Sequence, residues 1–78
     1  MEKERYVCLN TIDRVENFVN KIIAIDSDVD LVSGRYTLDA KSIMAIFSIC
    51  LTEKLKLIIR SDDEDEIKLF NEITEEFK

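Results

Sequence analysis

The sequence predicts an α+β domain in which a four-stranded antiparallel sheet carries three helices on one face. Three observations lead there. Apolar residues recur at spacings of three and four in separate stretches, as helices with one buried stripe require. Leu55, Leu57 and Ile59 alternate with Lys54 and Lys56 and are closed by Arg60, the period of a strand with one buried face. The only glycine, Gly34, lies between two short β-favouring runs, where a hairpin turn belongs. Strands that bury one face and helices that bury one stripe hide both by packing as two layers. With 78 residues the chain is one domain, residues 1–78.

The elements follow in order. Tyr6, Val7, Cys8 and Leu9 form a short β-favouring first strand within Arg5 to Leu9. Asn10 and Thr11 then offer caps for a first helix whose stripe is Ile12, Val15, Phe18, Val19, Ile22 and Ile23. Asp26-Ser27-Asp28 breaks that period. Val29 to Val32 and Tyr36 to Leu38 pair around Gly34, the central helix follows Asp39-Ala40-Lys41, and Leu55 to Ile59 is the fourth strand. A last helix carries Ile67, Phe70, Ile73 or Thr74, and Phe77 on its buried stripe, with the carboxylates of Ser61-Asp62-Asp63-Glu64-Asp65-Glu66 at its positive end. The order is βαββαβα.

The run from Ala40 to Leu51 is the most informative stretch. It falls short of the roughly 20 apolar residues of a membrane span, yet it is too apolar for an ordinary surface helix. On a helical wheel Ile43, Met44 and Phe47 gather on one side and Ile46, Ile49 and Cys50 on the other. A chain this small cannot bury both sides. Ile43, Met44 and Phe47 are therefore candidates for a partner-binding surface, the alternative being that the acidic last helix covers them. Ser42 stands just before this run, where its hydroxyl can cap the helix; the same position makes it a candidate modification site.

Composition narrows the function. Acidic residues outnumber basic ones 17 to 11, for a net charge of −6, and the basic residues are scattered singly, so nucleic acid is not an expected ligand. There is no histidine, which removes the commonest neutral-pH base and the commonest zinc ligand. Cys8 and Cys50 are far apart and read as buried thiols rather than a disulfide or metal pair. Asp26-Ser27-Asp28-Val29-Asp30 opens like a calcium loop, but Leu31 stands where its glycine belongs and Thr37 where its glutamate belongs. No phosphate loop or nucleophile–base pair is present, so no metal, no cofactor and no enzymatic activity are expected. The amino terminus resembles neither a signal peptide nor a transit sequence, and the expectation is a cytoplasmic protein without membrane insertion, monomeric or weakly dimeric.

At Ala40-Lys41-Ser42-Ile43-Met44-Ala45-Ile46-Phe47-Ser48, in this order of elements, the chain resembles HPr, the small phosphocarrier of the phosphoenolpyruvate-dependent sugar phosphotransferase system of bacteria. The likeness runs from about Phe18 to Ile59, through Gly34 and Ser42. It implies an open-faced β-sandwich. It also implies that Ser42 matches the family's regulatory phosphorylated serine, and that Ile43, Met44 and Phe47 match its partner-docking surface. The family's phosphoryl-carrying histidine and the arginine after it should fall within Asn10 to Arg14. Thr11 is the nearest match to the histidine and Arg14 to the arginine, with Asp13 between them repelling a phosphoryl group.

The expectation is an HPr-like regulator or adaptor that cannot carry phosphohistidine and binds a cytoplasmic regulator, kinase or phosphotransferase component. Two alternatives remain at this point. One is a residual phosphocarrier using Thr11 or Asp13; the other is a degenerate domain with no phosphotransferase connection.

Overall fold

A computed structural model describes residues 2–49 and 53–78. The elements are β1 (Glu4–Val7), α1 (Ile12–Ile22), β2 (Val29–Ser33), β3 (Tyr36–Asp39), α2 (Ile43–Phe47), β4 (Leu55–Ile59) and α3 (Glu64–Glu76). The strands form one antiparallel sheet in the order β1-β4-β2-β3, and three helices cover one face of it. The predicted α+β class, element order and open-faced sandwich are those observed.

Register explains which face is covered. One row across the sheet aligns Arg5, Leu57, Leu31 and Leu38, and flanking rows pair Val7 with Leu55 and Val29 with Ile59. Their aliphatic members, with Val15, Phe18, Val19 and Ile22 of α1 and Ile67, Phe70 and Ile73 of α3, make a single core in which only Leu38 is partly exposed. The alternate rows carry Glu4, Tyr6, Asp30, Lys56 and Asp39 on the uncovered face, where ion pairs Lys56–Glu4 and Arg60–Asp30 lie. Gly34 turns the β2–β3 hairpin at φ +59°, a conformation that penalises any side chain.

α1 begins where its sequence places it: Thr11 Oγ1 accepts the Arg14 amide at 3.1 Å. Two members of its expected stripe are outside. Ile12 and Ile23 are exposed, because the core contacts only the sector centred on Val15, Phe18 and Ile22 and these two lie on its shoulder. β1 stops at Val7, two residues short, yet Leu9 is fully buried beyond it. Cys8 is only partly buried; Cys50 lies outside the described residues. Both alternatives for the α3 stripe are buried, Ile73 by packing and Thr74 by donating its hydroxyl to the Phe70 carbonyl at 2.8 Å.

Glu66 was expected simply to complement the α3 dipole. It does more: its Oε1 accepts the Ser27 and Ser61 hydroxyls at 2.6 and 2.8 Å, and its Oε2 accepts the Asp26 and Ser27 amides at 3.0 and 3.1 Å. One carboxylate thereby ties the α1–β2 loop to the β4–α3 loop. Led by the Ser27 and then the Ser61 hydroxyl, these donors hold its pKa down from 4.5 to about 2. Asp62 is lowered by Lys3, and Glu75 by Lys78 and then Arg5. Since the folded-state value of Glu66 lies below the unfolded one, its stabilisation is complete above about pH 4.5 and disappears as pH falls through 2. Thermal melts across this window should show the wild type losing melting temperature more steeply than Glu66→Gln, which has no charge to lose; parallel curves would show that the carboxylate does not hold the loops.

Candidate functional site

α2 is five residues long, much shorter than the apolar run around it, and its caps set that length. Asp39 Oδ1 accepts the Lys41 amide at 2.9 Å, and the Asp39 carbonyl accepts the Ser42 amide at 3.1 Å, so Ala40 and Lys41 form a turn rather than a helical start. Ser42 is the N-cap, in extended conformation, its Oγ accepting the Ala45 amide at 3.3 Å. Ser48 closes the other end, its hydroxyl donating to the Ala45 carbonyl at 2.6 Å. A helix this short has little macrodipole, so the stabilising force on Ser42 is this single hydrogen bond rather than the field expected of a longer helix.

One side chain fixes the rotation of α2. Ile46 is 0% exposed in the core, while Met44 is 76% and Phe47 41% exposed. Ile43 is half-buried and packs against the core, so of the three proposed docking residues it is the hinge between inside and outside. Ile49 is also half-buried, on the core side as the wheel requires. Met44 is left open, and Phe47 is partly so.

The second cluster lies at the start of α1. Thr11 is exposed and its hydroxyl is engaged as N-cap. Arg14 is engaged within the fold: its Nε donates to the Cys8 carbonyl at 2.8 Å, and its guanidinium lies 5.4 Å from the centre of the Phe77 ring. The same ring takes the Lys21 ammonium at 5.9 Å and meets Phe18 edge-on at 5.6 Å, while the Phe77 carbonyl accepts the Cys8 amide at 2.6 Å. Arg14 is thus a clamp between the end of β1 and the end of α3. The sequence marks Arg14 as a possible phosphate ligand but gives no sign of this clamp, since Phe77 is remote in sequence. Among the described residues no cluster of His, Cys, Asp or Glu could hold a metal, and no helix is long and apolar enough to cross a membrane.

The geometry is that of a small open-faced sheet-and-helix fold with a capped second helix presenting apolar side chains. The sequence profile described as "PTS HPr component phosphorylation site" matches residues 14–78, and the chain belongs to this family of phosphotransferase-system HPr components. Among solved structures it is similar to HPr-C-His from Thermoanaerobacter tengcongensis, at 23% identity and a TM-score of 0.73, over 95% of this chain and 92% of that one. It is similar also to the phosphocarrier protein HPr of Bacillus anthracis str. Ames, at 18% identity and a TM-score of 0.76, over 97% and 94%. These likenesses are of fold. Comparison with curated proteins returns no match. The profile match begins at Arg14, just past Thr11, and the chain contains no histidine.

Ser42→Ala removes the N-cap of α2 and should cost about 1 kcal/mol in urea unfolding, with the slope unchanged. An unchanged midpoint would mean that the hydroxyl is not holding the Ala45 amide.

Proposed function

We propose that this chain is a regulatory or adaptor protein, not an enzyme, that docks a cytoplasmic protein through Ile43, Met44 and Phe47, is gated by phosphorylation at Ser42, and carries no phosphohistidine. The partner is a regulator, a kinase or a component of the phosphotransferase system. The observation that carries this reading is the split across α2: Ile46 sealed inside, Met44 and Phe47 facing solvent on the next positions.

The chemistry of the α1 start supports the loss of phosphotransfer. A threonine hydroxyl is a weak nucleophile without an adjacent base, and Thr11 accepts a hydrogen bond from the Arg14 amide instead of meeting one. The Asp13 carboxylate would oppose an incoming phosphoryl group, and the Nε of Arg14 is held by the main chain.

Ser42 is half-exposed, so a kinase needs to break only the 3.3 Å cap bond to reach its oxygen. A phosphate there sets about −1.5 to −2 charges beside Ile43 and near Met44, altering which surfaces can dock.

Incubated with labelled phosphoenolpyruvate and the phosphotransferase donor enzyme, the protein should take up no label while an HPr control does; incorporation of label, acid-stable on Thr11 or labile on Asp13, would instead establish the residual-carrier reading. With the family's serine kinase, a mass increase absent from Ser42→Ala is expected. Met44→Asp and Phe47→Asp should slow that modification about tenfold or more with the circular dichroism spectrum unchanged, as loss of a central apolar contact does. An unmodified wild type beside a modified control would remove the gate, and variants that unfold would place both side chains in the core.

A further inference from the structure

We propose that the edge strand β3 pairs with β3 of a second copy of this chain, antiparallel and centred on Thr37, so that two sheets join into one. The surface is a strand edge, separate from the outward side of α2.

The sheet has two edge strands, β1 and β3, and they are finished differently. Bonding alternates along an antiparallel ladder, so every second residue of an edge strand turns its amide and carbonyl outward. On β1 the Ile59 amide donates to the Lys3 carbonyl, which leaves Glu4 and Tyr6 as the outward residues. Both sides of that gap are shut. Asn71 donates to the Glu2 carbonyl at 2.8 Å and accepts the Glu2 amide at 3.4 Å, and the Phe77 carbonyl takes the Cys8 amide at 2.6 Å. On β3 the Ala40 amide donates to the Val29 carbonyl at 2.9 Å, so Tyr36, Leu38 and Ala40 face β2 while Thr37 and Asp39 face outward. Among the described residues no hydrogen bond reaches the Thr37 amide, the Thr37 carbonyl or the Asp39 amide. This edge is unguarded.

The sequence Arg35-Tyr36-Thr37-Leu38-Asp39 selects a second copy because it complements its own reverse. A two-fold interface demands that if one residue meets another, the second also meets the first. About Thr37, each Thr37 amide donates to the other copy's Thr37 carbonyl. Each Asp39 amide donates to the Arg35 carbonyl, which points outward because the Tyr36 amide of the same planar peptide unit points to β2. The side chains agree with that register. Arg35 is exposed and joins no ion pair among the described residues, and Asp39 uses Oδ1 on the Lys41 amide, leaving Oδ2 free to meet Arg35 of the other copy. Tyr36, 61% exposed, falls opposite half-buried Leu38 beside the groove that Ser48 and Ile49 line. Opposite charges, an aromatic beside an aliphatic and paired threonines all stabilise antiparallel neighbours. Sliding one copy by two residues, the smallest shift that keeps faces and bonding, sets Arg35 or Asp39 against Thr37 and loses both charge pairs. Against association stand Glu53, which shares the groove with Arg35, and the net charge of −6 on each copy. With so short an interface, the dissociation constant expected is on the order of 100 μM.

The test is dilution of the isotope-labelled protein from about 1 mM to about 10 μM, which brackets that constant, followed by amide resonances and sedimentation velocity. The wild type should sediment as a dimer at the upper end, with concentration-dependent shifts centred on residues 35–39. Arg35→Glu sets like charges opposite each other, and Thr37→Pro removes the central amide without breaking a bond to β2. Each should weaken association about tenfold or more with the circular dichroism spectrum unchanged. Thr37→Lys, which brings two cations together on the axis, should do the same and stands in for the proline variant if that one unfolds. Met44→Asp should associate as the wild type does. A wild type that stays monomeric throughout would overturn the proposal and leave the α2 docking reading untouched. Association that survives Arg35→Glu and is lost in Met44→Asp would move the contact to α2 and overturn it as well.

Discussion

The placement of Ile46 in the core decides how α2 stands on the rest of the molecule. A helix of five residues has room for one inward side chain, and its neighbours at positions 43, 47 and 44 are turned progressively outward, in that order, by the 100° step. Asp39, Ser42 and Ser48 define where the helix starts and stops, so its rotation cannot be relaxed by sliding the chain along. The exposed Met44 and Phe47 are thus a consequence of local capping and one buried isoleucine. What lies on the other side of the helix is a core already filled by α1, α3 and the sheet.

The remainder of the fold is tied at its ends by polar groups that no helical or strand period reveals. Glu66 joins two loops through four hydrogen bonds, and Arg14 joins the end of β1 to Phe77 at the end of α3. Arg5 faces the helices from the edge strand β1 and binds Asn71 and Glu75 of α3, an inward charge that also blunts the edge against other chains. The arginine at the start of α1 is part of the scaffold.

Period and turn chemistry made most of the architecture legible. Leu55, Leu57 and Ile59 named their buried face, Gly34 its hairpin, and Thr11 and Ser42 their caps, because each signal is local and its cause lies within a few residues. The misplacements have a common origin in tertiary context. Ile12 and Ile23 share the helical period of the buried residues, and only the width of the core, narrower than the apolar stripe, leaves them outside. The apolar run after Asp39 reads as a longer helix because hydrophobicity does not show where the Asp39 turn and the Ser48 cap intervene. Glu66 and Arg14 are bound to partners remote in sequence, which no spacing rule reaches. At the site, Met44 and Phe47 were recognisable as surplus apolar groups, whereas how far each is exposed depended on the rotation that the burial of Ile46 gives α2.

The rotation of α2 about Ile46 is tested most directly by urea unfolding of Ile46→Ala beside Met44→Ala. The structure predicts a loss of about 2–5 kcal/mol for the first, as for a fully buried isoleucine, and about 0.5 kcal/mol or less for the second, as for an exposed side chain. Comparable losses for the two variants, or a larger one for Met44→Ala, would put Met44 inside and contradict the outward-facing surface.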